Sequence, residues 1–211
     1  GWLPLVVGAV VFGLMTTWRT GRVLVGKRLR QGELPLATFI KSLGKQRVTR
    51  VPGTAVFMYS RPGSTPPALL ANLFHNRILH TNVVILSVRT MEVPRVPPAD
   101  REELIDHGHG FFSVRLRFGF MEEPDVPAAL GHVLSSKVSF DPLHTSYFLG
   151  KESIRPSPGD GMALWRERLF AIMHRNATGA AAFFSLPPER PIELRRQLDI
   201  PPPAPPARPR T

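Results

Sequence analysis

The chain opens on eighteen residues, GWLPLVVGAVVFGLMTTW, without a charged side chain. As a helix this run spans about 27 Å, close to the ~30 Å hydrocarbon core of a bilayer. Trp2 and Trp18 bracket it, and indole rings favour the membrane interface. Gly8 and Gly13 weaken a water-soluble helix but allow close helix–helix approach in lipid. A signal peptide would carry a basic n-region and a small-residue cleavage site, and neither is evident. A buried soluble helix is the other alternative. The pattern predicts a transmembrane helix over 1–18. Past it, Leu36, Phe39, Ile40 and Leu43 fall on one face of a short amphipathic helix over 33–45, with Pro35 suited to its first turn. That helix has two places to lie: on the membrane surface or against the domain that follows.

From Arg50 the texture becomes that of a water-soluble domain. Thr54–Tyr59 reads as a buried strand ending in a turn at Arg61-Pro62-Gly63. Pro66 and Pro67 open a helix to about Arg77, with Thr65 as its expected N-cap. Asn82–Thr90 carries a nearly continuous apolar run, the mark of a central strand covered on both faces. A proline-rich loop follows at Val93–Pro98. Glu102–Asp106 and Phe111–Phe120 predict a hairpin across His107-Gly108-His109-Gly110. In its second strand Phe112, Val114, Leu116, Phe118 and Phe120 alternate with Ser113, Arg115, Arg117 and Gly119. Asp125–Ser136 reads as a helix and Thr145–Leu149 as a strand. Gly161–Ala177 reads as a helix capped by Asp160, its inward stripe Met162, Trp165, Leu169, Ile172 and Met173. A last strand is expected near Ile192–Ile200. The fold class is therefore α/β, a mixed sheet flanked by helices, preceded by one transmembrane helix. The expected organisation is a span over 1–18, a basic juxtamembrane linker over 19–50, a cytoplasmic domain over 51–200 and a Pro-rich disordered tail over 201–211.

Charge changes the picture most. The net charge of +11 invites a nucleic-acid reading. Yet Arg19, Arg22, Lys27, Arg28, Arg30, Lys41, Lys45, Arg47 and Arg50 stand against Glu33 alone, while residues 51–200 are nearly neutral. The excess sits directly after the apolar run, so the folded part is not a basic nucleic-acid-binding domain. Lys and Arg beside a span end hold that end on the cytoplasmic side. Trp2, Trp18, Arg19, Arg22, Lys27 and Arg28 are accordingly the expected membrane-interface residues. There is no cysteine, hence no disulfide framework and no thiolate chemistry. Residue 1 is Gly rather than Met, so the chain reads as a piece of something longer.

Candidate chemistry is sparse. Arg61-Pro62-Gly63-Ser64-Thr65 before a helix is a candidate anion cradle, with Arg61, Ser64 and Thr65 as its residues. It lacks the spacing and Lys of a P-loop, and a turn with an N-cap is its simpler reading. His107 and His109 have no Cys or carboxylate partner at metal-ligand spacing. His75 and His80 flank a helix end, where they suit capping or packing. Arg115 and Arg117 share a face that is either simply wet or a dock for an anionic partner. No pair of carboxylates and no nucleophile motif marks a catalytic centre, so the chain reads as neither an enzyme nor a cofactor or metal protein.

A series of segments carries a resemblance: GAVVFGLMTTWRTGR (8–22), RVPGTAVFMYS (50–60), PPALLANLFHNRILHTNVVILSV (66–88), VPRVP (93–97), FGFMEEPDVPAAL (118–130), TSYFLGKESI (145–154), GMALWRERLFAIMHRNA (161–177) and FFSLPPERPIEL (183–194). In this order they resemble the last span and cytoplasmic domain of the Kup/HAK/KT potassium uptake permeases, over roughly residues 1–200. The tail after Ile200 departs from the pattern. The resemblance implies an inner-membrane potassium transporter, working as a K+/H+ symporter, whose ion pathway is built by earlier helices, so no ion-binding residue falls on this chain. It implies the lipid bilayer and the remaining transmembrane helices as partners, with a homodimer and a cyclic dinucleotide regulator as further candidates. Nucleic acid is not among them. The rival reading is a membrane-anchored nucleotide- or anion-binding module using the helix N-termini after Ser64 and Asp160.

Overall fold

The computed structural model describes residues 1–31, 33–44, 48–135, 137–138, 140–155, 162–176, 186 and 191–199. Its contacts divide the chain into two units: 1–33 with 152–177 and 196–211, and 34–151 with 178–195.

In the first unit, helix α1 covers Leu3–Gln31, running past Trp18 through the basic segment that the sequence pattern assigned to a linker. Nothing in 19–31 breaks a helix: there is no proline, and Gly21 and Gly26 stand alone. The Thr16 and Thr20 hydroxyls donate to the carbonyls of Phe12 and Thr16, each at 2.8 Å, so an apolar helix can carry them without exposed donors. Helix α6, Leu164–Arg175, is shorter than expected. Ala163 takes the cap position, and Asp160, Gly161 and Ala177 lie outside the described residues. Its inward face is also different. Glu167, Phe170 and Ala171 are buried, while Trp165 and Ile172 of the expected core stripe are exposed at 65% and 54%. The reason is the neighbour: α6 packs on α1.

The second unit is built on a sheet of β1 Thr49–Met58, β2 Ile78–Met91, β3 Glu102–Gly108, β4 Phe111–Gly119, β5 Thr145–Arg155 and β6 Pro191–Asp199, in the order β3-β4-β2-β1-β5-β6. β4, β2, β1 and β5 are parallel neighbours, and β3 is an antiparallel edge on β4. Helix α2, Leu36–Leu43, precedes β1, and between the strands run α3 Pro67–Asn76, the single turn α4 Pro98–Arg101 and α5 Val126–Leu134. Strand alternation sends Val56, Val84, Leu86, Val114, Leu116 and Tyr147 to one face, under Val126, Leu130 and Leu134 of α5. It sends Ala55, Phe57, Val83, Ile85, Phe111 and Phe148 to the other, under Leu36 and Phe39 of α2 and Ala68 and Leu69 of α3. Burial on both sides explains the unbroken apolar run in β2. Phe57 stacks on Phe148, with centroids 4.6 Å apart. Asp125 caps α5 by accepting from the Ala128 N–H at 3.0 Å.

Two devices hold the ends of the strands. At their start, Arg50 donates to the carbonyls of His80 (2.8 Å), Thr81 (3.3 Å) and His109 (2.9 Å) and lies over the Phe111 ring at 5.2 Å. The last basic residue of the juxtamembrane cluster is thus a staple of the sheet. Just beyond it Pro52 has no N–H for the ladder, and the register slips between Val51 and Thr54 through Gly53 at φ +108°. At the far end, Phe120 N–H bonds to Val93 O (3.0 Å) and Met121 N–H to Pro94 O (3.1 Å). Glu122 gathers the N–H groups of Gly119 (2.6 Å) and Val96 (3.2 Å) and the Arg101 guanidinium. An open cleft of about 640 Å³ lies beside them, lined by Arg95, Pro97, Pro98, Arg101 and Glu123.

Two outcomes follow. Phe57→Ala removes a ring exposed at only 1% and should destabilise the domain by about 3–5 kcal/mol, read as a lower midpoint in chemical unfolding; an unchanged midpoint would refute the stacked-ring core. The Glu122 carboxyl is held below its ordinary 4.5, first by the Gly119 N–H and then by the Val96 N–H and Arg101. A depressed pKa contributes stability that is full above 4.5 and drains as pH falls through the lower folded value. Amide exchange at Val96 and Gly119 should therefore quicken on acidification beyond the intrinsic pH trend, and Glu122→Gln should erase that pH dependence.

Candidate functional site

The span and its exit come first. From Leu3 to Lys27, α1 is long and apolar enough to cross a membrane. Leu3, Leu5, Val10, Phe12 and Met15 are exposed around it. Of the expected interface residues, Trp2 is open at 72%, and Arg19, Arg22 and Lys27 are exposed. Arg28 lies within α1, its side chain outside the described residues. Trp18 is only half-buried, because α6 covers part of it: its ring stands 5.5 Å from Phe170 and 6.4 Å from His174. Arg22 approaches the same ring at 6.0 Å.

Successive i+4 positions Thr17, Gly21 and Val25 make the seat for α6. Thr17 and Val25 are buried, at 1% and 6%. Thr17 Oγ1 accepts from Arg166 Nε at 3.1 Å. A Cβ on Gly21 would stand 2.5 Å from Phe170 Cγ, so the ring rests directly on the glycine backbone. Sequence reasoning missed Arg166, Phe170 and Gly21 as a group. The available signal was the small-residue row Gly13, Thr17, Gly21 on one side of α1.

The second part is the Arg61–Thr65 turn. It pairs with the segment entering α2: Leu36 N–H donates to Gly63 O (2.9 Å), Thr65 N–H to Leu34 O (2.8 Å), and Pro35 bridges Ser64. Arg61 and Ser64 are half-buried. Thr65 does not cap α3: Pro66 holds that position without a side-chain bond, and Thr65 Oγ1 is buried with no partner. Pro66 and Pro67 have no N–H, and the Leu69 and Leu70 N–H groups turn back to Pro66 O. Of the donors an anion cradle could use here, the Thr65 N–H is spent on Leu34 and Pro66 and Pro67 supply none. The turn fastens α2 to the domain, and the burial of Leu36 at 1% and Phe39 at 3% places the amphipathic helix against the sheet rather than on a lipid surface.

The third feature is the wet end of β3 and β4. Arg115 and Arg117 both hold Glu103 Oε2 at 2.6 Å. The Arg117 hydrogen bond is the largest of the effects that lower the Glu103 pKa. Two arginines open to an anionic partner thus already share a carboxylate. His107 Nε2 pairs with Ser113 Oγ at 2.8 Å, and His109 turns the hairpin at φ +53°. Burial pushes the Tyr147 phenol up to about 12, so it stays protonated within the core. Among the described residues no cluster of His, Cys, Asp or Glu could hold a metal ion.

Comparison with known proteins assigns the chain. The family described as the K+ potassium transporter C-terminal domain matches residues 52–200. A "Probable potassium transport system protein Kup" of Pseudomonas aeruginosa (strain UCBPP-PA14) is 50% identical over 200 residues, covering 95% of this chain and 32% of that protein. Proteins of the same description from Pseudomonas syringae pv. tomato (strain ATCC BAA-871 / DC3000) and Azoarcus sp. (strain BH72) are 49% and 45% identical, each over 95% of this chain and over 32% and 31% of their own length. The chain thus spans about a third of the length of these relatives. No solved structure matches it. With the family matched over residues 52–200, and relatives of that kind aligned over nearly its full length, the chain belongs to the family of the potassium transporter C-terminal domain.

Proposed function

We propose that this chain is the C-terminal part of a potassium uptake permease, α1 its last transmembrane helix and the sheet domain its cytoplasmic control or stabilising module. One observation carries the reading: a helix long enough to cross a bilayer, with a basic end, is followed in the chain by a domain of the potassium-transporter C-terminal family. The orientation follows from Arg19, Arg22 and Lys27, which favour the inner side of a cell membrane. The transported ion is potassium, carried together with protons, and the ion pathway belongs to helices outside this chain. The chain acts by position and not by catalysis. Its partners are the bilayer, the other transmembrane helices and, for the domain, a second copy or a regulatory ligand.

We place the boundary between span and domain at Glu33 rather than at Arg50, a placement supported by the burial of α2 against the sheet. A strain lacking its own potassium uptake should grow on limiting potassium when given the full parent gene. The same gene ending at Glu33 should rescue less well at equal membrane level. Failure of a well-expressed full gene to rescue would overturn the transport reading, and undiminished rescue by the truncated gene would overturn the control role.

A further inference from the structure

We infer that α6 is a clasp on the inner end of the last span, and that Phe170 seated on Gly21 is the contact through which α6 positions that span. The inference rests on reading α1 as a membrane helix and names the contact that holds α6 on it.

The seat is specific. Phe170 is fully buried, against a backbone position with no side chain. Trp18 and His174 flank the ring, His174 at 5.8 Å, and Arg166 reaches Thr17 on the next turn up. Any side chain at Gly21 would occupy the ring's place, so the two helices meet in one register. The seat is also small and mixed: one ring, one hydroxyl–guanidinium bond and a histidine whose Nδ1 has no partner. Contacts of this size open far more readily than a whole domain unfolds. A single knob in a single notch gives two discrete states, seated and unseated, rather than a continuum. Meanwhile the apolar residues Trp165 and Ile172 are left exposed, so α6 is placed by its fit to α1 rather than by burying its most apolar stripe. The clasp grips the turns carrying Thr17, Gly21 and Val25, where the apolar run gives way to Arg19 and Arg22, so seating or release acts on the last turns before the membrane boundary.

The geometry supplies its own test. Phe170 Cγ lies 2.5 Å from the Gly21 Cβ position and one bond of about 1.5 Å from its own Cβ. Cysteines at both sites would therefore have Cβ atoms within about 4 Å, inside disulfide range. The experiment uses the full permease with any other cysteines replaced, since this chain has none. In membranes, Gly21→Cys with Phe170→Cys should form an intramolecular disulfide on mild oxidation, identified by mass spectrometry of the linked peptides, while neither single variant should. Potassium uptake by the double variant should change severalfold between oxidised and reduced states and recover with reductant. Absence of the disulfide in an active, membrane-inserted protein overturns the clasp. A disulfide that leaves uptake unchanged overturns the positioning role. If the unmodified permease carries no potassium, the transport reading fails while the crosslink still decides whether α6 sits on α1.

Discussion

The sheet domain depends on a helix that precedes it. One face of the sheet is roofed by α5, but α3 alone does not close the other. Leu36 and Phe39 complete it, packing with Ala55, Phe57, Val83 and Phe111, and Phe39 meets the Phe111 ring edge-on at 6.2 Å. The hydrogen bonds of Leu34 and Leu36 to the 63–65 turn hold that helix in place. Two fully buried apolar side chains contribute about 1.5–3 kcal/mol each, a large part of the margin of an ordinary domain. The segment that leaves the membrane helix is thus structural material for the domain, and the two cannot be separated at the point where the composition changes.

The same dependence explains how charge is distributed. In the sheet domain, arginines are committed: Arg50 to carbonyls at the strand starts, Arg101 to Glu122, Arg115 and Arg117 to Glu103. On α1, Arg19, Arg22 and Lys27 are exposed and carry no carboxylate partner among the described residues. Exposed cations beside an apolar helix are what an anionic lipid surface attracts. A surplus that looks like a property of the whole chain is therefore a local feature of the basic half of α1 and the segment just after it.

Most of the domain was legible because periodicity and turn chemistry are local. The continuous run in β2, the alternation of Phe112, Val114, Leu116 and Phe118 in β4 and the Gly-rich hairpin appear where the residues alone place them, whereas Phe120, read as the last inward position, lies past the end of β4 and is 60% exposed. What was not legible depends on a neighbour. Thr65 has the right chemistry for a cap, but its N–H answers to Leu34, more than thirty positions away in space-filling terms only once the fold is known. Trp165 and Ile172 read as core because apolar stripes usually face a core; α6 instead turns Phe170 toward α1. Arg115 and Arg117 read as free because Glu103 opposes them only through the β3–β4 register. The run past Trp18 read as a linker because charge marks where lipid ends, which is a different boundary from where a helix ends.

That last distinction bears on how such a domain can act at all. A helix of 29 residues extends about 43 Å, well beyond the ~30 Å hydrocarbon core. On the reading of α1 as a membrane span, the excess length would project from the bilayer as a lever, which a flexible basic linker would not offer. Thr17, Gly21 and Val25 lie at the base of that lever, and α6 holds them with a ring in a glycine notch. Force applied to a rigid helix near the membrane boundary reaches its intramembrane turns, whereas force on a flexible linker is lost as entropy. The continuity of α1 through Arg19 and Arg22 is therefore what makes a contact at Gly21 relevant to the span above it.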